Sequence, residues 1–128
     1  MDGLLIADEN FESRKQMAEL LIDSGYQVTV TNSVASALYG ILKKTAQVVV
    51  LGGQFDELTA LDLVPLLKKC NRNLSIILVS DNLPLSILRK LRKEGIFYHA
   101  LKPVRPEDGE EIRQVVQCAF RSLANSVG

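Results

Sequence analysis

The stretch VVVLGGQF, residues 48 to 55, contains a run of four apolar residues that ends in a pair of glycines. Three of the four apolar residues are β-branched, a composition typical of a strand covered on both faces, as in a parallel sheet. In open α/β sheets, binding and catalytic groups gather just past the carboxyl end of such a strand. This chain has Gly52 and Gly53 there, which carry no functional group. The stretch therefore predicts a buried parallel strand whose functional position is empty.

The composition limits the classes of protein to consider. The chain has 128 residues, the length of one domain, and it is 47% apolar and 23% charged, as globular domains are. Fifteen Lys and Arg residues balance fifteen Asp and Glu residues, which argues against a dedicated binder of nucleic acid or of anionic membranes. The sequence shows no signal peptide and no long apolar segment, and its two cysteines, Cys70 and Cys118, suit a reducing compartment. We therefore expect a cytoplasmic protein.

Strand and helix patterns alternate along the whole chain. Strands are predicted at residues 3–7, 27–31, 48–51, 75–79 and 97–101. Helices are predicted at residues 11–23, 33–44, 59–70, 84–94 and from residue 106 onward. This alternation predicts right-handed βαβ units and a parallel sheet covered on both faces. We expect one α/β domain over residues 1–124, with a tail or the start of a linker at residues 125–128.

Polar side chains follow three of the predicted strands. Asp8 and Glu9 follow the first strand, Ser80 and Asp81 follow the fourth, and Lys102 follows the fifth. Because the carboxyl ends of parallel strands meet at one edge of the sheet, we expect these side chains to lie close together. Carboxylates are the ligands that Mg²⁺ prefers, and a lysine neutralises phosphate. The pattern favours a site for a divalent cation and a phosphoryl group.

These residues, together with Lys102-Pro103, resemble the receiver domain of bacterial two-component response regulators over almost the whole chain. The resemblance implies a flavodoxin-like fold with a five-stranded parallel sheet in the order 2-1-3-4-5. It implies that Asp8 and Glu9 bind Mg²⁺, and that Ser80 and Lys102 contact the phosphoryl group and transmit its effect. In that family an aspartate at the end of the third strand accepts the phosphoryl group from a histidine kinase.

The alignment with this family places Gly52 at the acceptor position. Glycine cannot supply the carboxylate that attacks the donor phosphorus. Asp56 lies four residues further on and is a poor substitute, because this chemistry tolerates little misplacement. Asp81 replaces a small residue, and His99 stands where the family has a switching Tyr or Phe. We interpret the chain as a pseudo-receiver, which keeps the fold and has lost phosphotransfer.

Three functions remain open. The first is a non-enzymatic, phosphorylation-independent interaction or dimerisation module, as a free domain or the N-terminal part of a larger response regulator. The second is a receiver that a histidine kinase phosphorylates at another aspartate, Asp56. The third is a binder of a small anion, which the glycine pair would cradle. In the family, partners bind the fourth helix, fifth strand and fifth helix, so we expect a protein partner or a second copy there, with these residues at the rim: Leu85, Arg89, Lys93, Arg113 and Gln117.

The first hypothesis implies no cofactor beyond weak Mg²⁺ binding at Asp8 and Glu9, no histidine kinase as donor, and no contact with nucleic acid or membrane. A simpler interpretation of the acid pair is an ion pair with Lys102. A half-buried ammonium without a partner is costly, so we expect the Lys102 ammonium within about 4 Å of Asp8 or Asp81. The basic run from Arg89 to Lys93 is interpreted as a solvated helix face, with an acidic partner or nucleic acid as alternatives.

Overall fold

The fold was analysed in a computed structural model, which describes residues 3–55 and 58–125. The main sheet contains the strands β1 (Gly3–Ala7), β2 (Gln27–Thr31), β3 (Val48–Gly52), β6 (Ser75–Ser80) and β7 (Tyr98–Leu101). Its order is β2-β1-β3-β6-β7, and every neighbouring pair is parallel. Counted within this sheet alone, the order is 2-1-3-4-5. The α/β flavodoxin-like fold expected from the sequence is therefore confirmed.

Five α-helices connect and follow the strands. They are α1 (Phe11–Asp23), α2 (Val34–Leu42), α3 (Ala60–Cys70), α4 (Leu85–Glu94) and α5 (Gly109–Asn125). Polar side chains fix where the first three begin, because they satisfy free backbone N–H groups. Asn10 accepts a hydrogen bond from the Ser13 amide, and Ser33 accepts one from the Ser36 amide. At α3 the Asp62 carboxylate accepts from the backbone N–H of Thr59.

The helices form two layers, one on each face of the sheet. Buried side chains of α2, α3 and α4 pack with Val49 and Leu51 of β3. Buried side chains of α1 and α5 pack with Val48 and Val50 on the opposite face. Successive side chains of a strand point to opposite faces, so a strand between two helix layers needs apolar residues at every position. This explains the continuous apolar run in β3.

The structure differs from the sequence prediction near the chain's carboxyl end and after β3. The last helix begins at Gly109 rather than at Pro106, because Pro106–Asp108 form a 3-10 turn. The Asp108 carboxylate accepts hydrogen bonds from the backbone N–H groups of Val104 and Arg105, which closes this turn. An antiparallel pair, β4 (Gln54–Phe55) and β5 (Leu58–Thr59), was not predicted. No helix among the described residues has the length and apolar character needed to cross a membrane.

Candidate functional site

The carboxyl ends of the central strands surround a cavity of about 510 Å³. The structure brings together all five polar side chains that the sequence placed at this edge. The cavity is lined by Asp8, Glu9, Asn10, Gly53, Ser80, Asp81, Leu83 and Lys102. Asp8 and Ser80 are buried, while Glu9 and Asp81 are exposed. Asp56, the alternative acceptor, lies outside the described residues. The polar side chains therefore cluster around a cavity, as the sequence predicted.

Gly52 lies directly against the carboxyl group of Asp8. A Cβ atom built on Gly52 would lie 2.9 Å from both Cγ and Oδ1 of Asp8, closer than real Cβ contacts allow. Asp8 itself is only 3% exposed. The Asp8 carboxyl thus occupies the space in which a side chain at position 52 would begin. The space beside Gly52 is therefore filled by the side chain of the residue that follows β1.

The environment of Asp8 favours its protonated form. Its Oδ1 accepts a hydrogen bond of 2.9 Å from the backbone N–H of Asn10. Its Oδ2 is buried and has no hydrogen-bond donor among the described residues. Burial raises the pKa of Asp8 above 3.8, although the Asn10 amide, Lys102 and Arg14 oppose this shift. Asp8 is therefore a buried and partly unsatisfied acid.

The described residues do not fit a Mg²⁺ ion in the way that the resemblance implied. Mg²⁺ requires near-octahedral oxygen coordination and is usually held by exposed carboxylates and waters. One oxygen of Asp8 is enclosed by protein, and Glu9 stands exposed beside it. Within residues 3–55 and 58–125, no three Asp, Glu, His or Cys side chains are placed to hold a metal ion. Mg²⁺ binding at Asp8 and Glu9 stays a prediction.

Ser80 and His99 form a link that the sequence did not reveal. Ser80 is 4% exposed, and its hydroxyl donates to the backbone carbonyl of Asp81 at 2.9 Å. The same oxygen lies 2.9 Å from Nε2 of His99. Which of the two atoms donates depends on the tautomer of the imidazole. Burial lowers the pKa of His99 below 6.5, and Arg92 acts in the same direction, while a hydrogen bond with the Asp81 backbone and the charge of Glu111 oppose the shift.

The resemblance singled out both residues of this link but gave no reason to join them. They lie on neighbouring strands, where Leu78 pairs with His99 and Ser80 pairs with Leu101. Side chains two residues apart on a strand share a face, so Ser80 lies diagonally across from His99 on one face. The register between two parallel strands was the missing information, and periodicity does not provide it.

The predicted ion pair of Lys102 is wrong for the acids that the structure describes. No carboxylate oxygen of these residues lies within 4.0 Å of the Lys102 ammonium, and the ion pairs that form involve Arg105 and Arg113. The backbone N–H of Lys102 donates to the Ser80 carbonyl at 3.0 Å, which fixes its backbone at the cavity edge. Its side chain is only half-buried. The ammonium therefore keeps water and needs no carboxylate.

The glycine pair does not form an open anion cradle. The Asp8 carboxyl covers Gly52, and a Cβ atom on Gly53 would lie 2.8 Å from Cβ of Ser80. The segment continues into β4 rather than into a helix N-terminus. Anion sites of the glycine-loop type depend on the free N–H groups of such a helix end. The local structure gives no support to the anion-binding hypothesis.

The residues predicted at the partner surface are all exposed. This holds for Leu85, Arg89, Lys93, Arg113 and Gln117. The sequence missed a group of exposed apolar side chains on and beside the edge strand β7, namely Phe97, Tyr98 and Leu101. Two hollows of about 640 and 310 Å³ border Phe97 and Tyr98. The signal available in the sequence was the apolar character of β7 at the edge of the sheet.

Comparisons with known proteins agree with this architecture. The model of the response regulator receiver domain family matches residues 4–116. The beryllofluoride-activated NtrC4 receiver domain dimer is 17% identical, with a TM-score of 0.83 over 96% of this chain and 99% of that chain. A receiver domain protein from Clostridium thermocellum is 19% identical, with a TM-score of 0.83 over 95% of this chain and 96% of its own. The chemotaxis response regulator CheY4 of Vibrio cholerae is 19% identical, with a TM-score of 0.78 over 91% and 98%.

No curated protein sequence matches this chain. The structural neighbours, at such low identities, show the common fold. The family match covers most of the chain, from β1 into α5. It includes the strand ends that carry the cavity residues Asp8, Gly53, Ser80 and Lys102. This chain therefore belongs to the response regulator receiver domain family.

Proposed function

We propose that this receiver domain acts in signal transduction as a phosphorylation-independent protein-interaction module. The contact between Asp8 and Gly52 carries the proposal. Formation of an acyl phosphate requires a carboxylate nucleophile in line with the donor phosphorus. Position 52 supplies none, and the Asp8 carboxyl that fills its place is almost completely buried. On this proposal the domain is not an enzyme, needs no cofactor and takes no phosphoryl group from a histidine kinase.

The surface around the edge strand β7 is the proposed interaction site. It combines the exposed apolar residues Phe97, Tyr98 and Leu101 with Leu85 at the start of α4. Exposed polar residues on α4 and α5 surround it, among them Arg89, Lys93, Arg113 and Gln117. Protein interfaces characteristically place aromatic and apolar groups at the centre and polar groups at the rim. An unpaired edge strand also offers free backbone groups to a partner.

A second copy of the chain is the proposed occupant of this surface. Homodimers form by matching one surface patch with itself, which requires a patch that is both apolar and accessible. The NtrC4 receiver domain, whose fold this chain shares, is described as a dimer. Leu85 and Leu101 are each 55% exposed in the isolated chain. Burying them against a second copy would remove apolar surface from water.

Intact-mass measurement tests the phosphorylation claim. The natural protein is incubated with a small phosphodonor and MgCl₂, and we expect no gain of mass. A single phosphoryl group that is labile to alkali, as an acyl phosphate is, would overturn the proposal. Peptide mapping would then locate the acceptor, and modification at Asp56 would establish the phosphorylated-receiver hypothesis in its place.

Light scattering tests the interaction surface. Leu85→Glu and Leu101→Glu should convert a dimer into a monomer, because each places a charge within an apolar interface. Ile22→Glu on α1 is a matched control, since Ile22 is also 55% exposed and lies on the other helix layer. A natural protein that stays monomeric at high concentration would refute the homodimer. Equal disruption by Ile22→Glu would place the interface elsewhere.

A further inference from the structure

The chain has equal numbers of cationic and acidic residues, but the fold does not distribute them evenly over the surface. The helices α3 and α4 lie in the same layer, and they carry exposed cations on their outer faces and at their ends. In the same two helices and the turn after α3, the sequence has only two carboxylates, Asp62 and Glu94. A formal net charge of zero for the chain therefore hides a local excess of positive charge. We define the basic patch as Lys69, Arg72, Arg89, Lys90 and Lys93.

The ends of α3 and α4 lie side by side. A Cβ atom on Gly95, the residue that ends α4, would lie 3.0 Å from Cε of Lys68 on α3. The Lys68 ammonium is engaged by the backbone carbonyls of Arg72 and Leu74, at 3.0 and 2.9 Å. Lys69 lies in the last turn of α3, Arg72 follows that helix, and Lys93 lies in the last turn of α4. The basic patch therefore includes residues at the ends of two neighbouring helices.

Local structure explains only part of the basic patch. Cations in the last turn of a helix interact favourably with its dipole, which accounts for Lys69 and Lys93. Arg89 and Lys90 lie in the middle of α4, and Arg72 lies beyond α3. Among the residues that the structure describes, none of the five cations is within 4.0 Å of a carboxylate oxygen. Their charges are available to an external anion.

We propose that the basic patch binds duplex DNA through its phosphate backbone, without reading the base sequence. Protein interfaces are enriched in aromatic side chains and depleted in Lys. The patch shows the reverse, because its five residues are all Lys or Arg and α3 and α4 contain no aromatic residue; the large apolar side chains exposed on these helices are Leu66 and, at the start of α4, Leu85. Single-stranded nucleic acid is held by stacking its bases on aromatic rings, which these helices do not offer. A phosphate backbone requires only Lys and Arg.

The length of α4 and the charges near α5, in the other helix layer, agree with a duplex as the ligand. The ten residues of α4 form a cylinder about 15 Å long. A duplex of that length carries about nine phosphate charges, which is enough to engage every cation of the patch. The acids Glu107, Glu110 and Glu111 lie at and before the start of α5. Because α5 packs on the face of the sheet opposite α3 and α4, these acids belong to the other helix layer.

Fluorescence anisotropy with a labelled mixed-sequence duplex of about 20 base pairs tests the proposal. Affinity should fall steeply with salt, with a log–log slope between about −2.7 and −4.5 for three to five phosphate contacts. The triple variant Lys69→Glu/Arg72→Glu/Lys90→Glu should lose at least about tenfold in affinity at low salt. These positions lie outside the residues proposed for dimerisation, so failure here would not bear on the proposed function. The control Lys15→Glu/Arg121→Glu reverses two exposed cations on α1 and α5 and should bind normally.

Three outcomes would overturn the proposal. One is the absence of duplex binding at about 50 mM salt, where backbone contacts are strong. Another is an equal loss of affinity in the control, which would show that overall charge rather than the patch determines binding. The third is tighter binding of a poly-glutamate peptide or of single-stranded DNA of the same length, since each identifies a different partner. Circular dichroism of both variants verifies that they are folded.

Discussion

The two sides of the cavity differ in how their buried polar groups are satisfied. On the β1–β3 side, the Asp8 carboxyl lies against Gly52 and has one buried oxygen without a hydrogen bond among the described residues. On the β6–β7 side, the Ser80 hydroxyl is bonded both to the Asp81 carbonyl and to His99. One side therefore contains a buried acid that is partly unsatisfied, and on the other side the buried Ser80 hydroxyl has two partners. The two sides of this cavity depend on different residues.

Restoring the acceptor is expected to have the largest effect on this comparison. Gly52→Asp would place a carboxylate next to Asp8, Glu9 and Lys102, and crowding of acids favours a bound cation. The new Cβ requires Asp8 to move, because it would start 2.9 Å from the Asp8 carboxyl. We expect a partial, Mg²⁺-dependent gain of one phosphoryl group from a small phosphodonor, against none in the natural protein. Intact-mass measurement detects the change.

The charge of Asp81 provides the control for this restoration. Asp81 is exposed at the cavity, where a negative charge repels an anionic donor. Gly52→Asp/Asp81→Ala should therefore be modified more completely than Gly52→Asp alone, and Asp81→Ala alone should not be modified. If the double variant gains no mass and binds no Mg²⁺, the alignment of Gly52 with the acceptor position loses its main support.

The two glycines should differ in how far they tolerate a methyl group. A Cβ on Gly53 would meet Cβ of Ser80, which is tied to the backbone of β6, at 2.8 Å. A Cβ on Gly52 would meet the movable carboxyl of Asp8. We expect Gly53→Ala to lower the free energy of unfolding by about 1–3 kcal/mol, the usual cost of overpacking, and Gly52→Ala to lower it by less. Urea denaturation measures both.

Gly40 is the matched control for this pair of substitutions. It lies inside α2, and its Cβ would have only an ordinary contact of 3.6 Å with Oγ1 of Thr45. Gly40→Ala should raise the free energy of unfolding by about 0.5–1 kcal/mol, because alanine is the better helix former. A cost for Gly52→Ala equal to that for Gly53→Ala would show that Asp8 cannot move out of its place.

The sequence predicted the fold well because its signals are periodic and local. The apolar run in β3, the helix caps at Ser33 and Thr59, and the glycine after α1 each fix an element without reference to the rest of the chain. The cavity residues followed, because parallel strands bring their carboxyl ends to one edge. Asp8, Ser80 and Lys102 were placed together for this reason alone.

What the sequence could not predict depends on packing between elements. The register of β6 against β7 joins Ser80 to His99, and the position of the Asp8 carboxyl depends on how closely β1 approaches β3. The ion pair predicted for Lys102 does not form with the described acids, although its side chain is half-buried as expected. The net charge of the whole chain likewise does not show that cations are concentrated on the helices α3 and α4. Each of these features requires coordinates from at least two elements.

Removing the charge of Asp8 tests the β1–β3 side of the cavity. Burial raises the pKa of Asp8, so between pH 3.8 and this raised pKa the folded protein binds more protons than the unfolded chain. Its contribution to stability is therefore greatest below pH 3.8 and is lost as the pH rises through the folded-state pKa. Asp8→Asn should be more stable than the natural protein by about 1 kcal/mol at pH 7, and the difference should vanish in acid.

Denaturant unfolding across the pH range measures this effect for Asp8. Glu9→Gln serves as the control, because Glu9 is the neighbouring exposed acid. It should show no comparable change between acid and neutral pH. A natural protein that is more stable than Asp8→Asn at pH 7 would mean that the Asp8 carboxylate has a favourable partner, such as a bound cation.

Substitutions on the β6–β7 side of the cavity should have the smallest effect, and the imidazole of His99 is the probe for this side. As the only histidine, it gives a single set of imidazole signals in NMR. Burial lowers its pKa, so between this value and pH 6.5 the unfolded chain binds more protons and stability rises with pH. The contribution is complete above about pH 6.5 and falls as the pH drops through the folded-state pKa. Ser80→Ala should cost about 0.5–1.5 kcal/mol, the value of one hydrogen bond, and should alter the imidazole titration. An unchanged titration in Ser80→Ala would show that the two side chains are not joined, and an imidazole pKa at or above 6.5 in the natural protein would show that burial does not control the titration of His99.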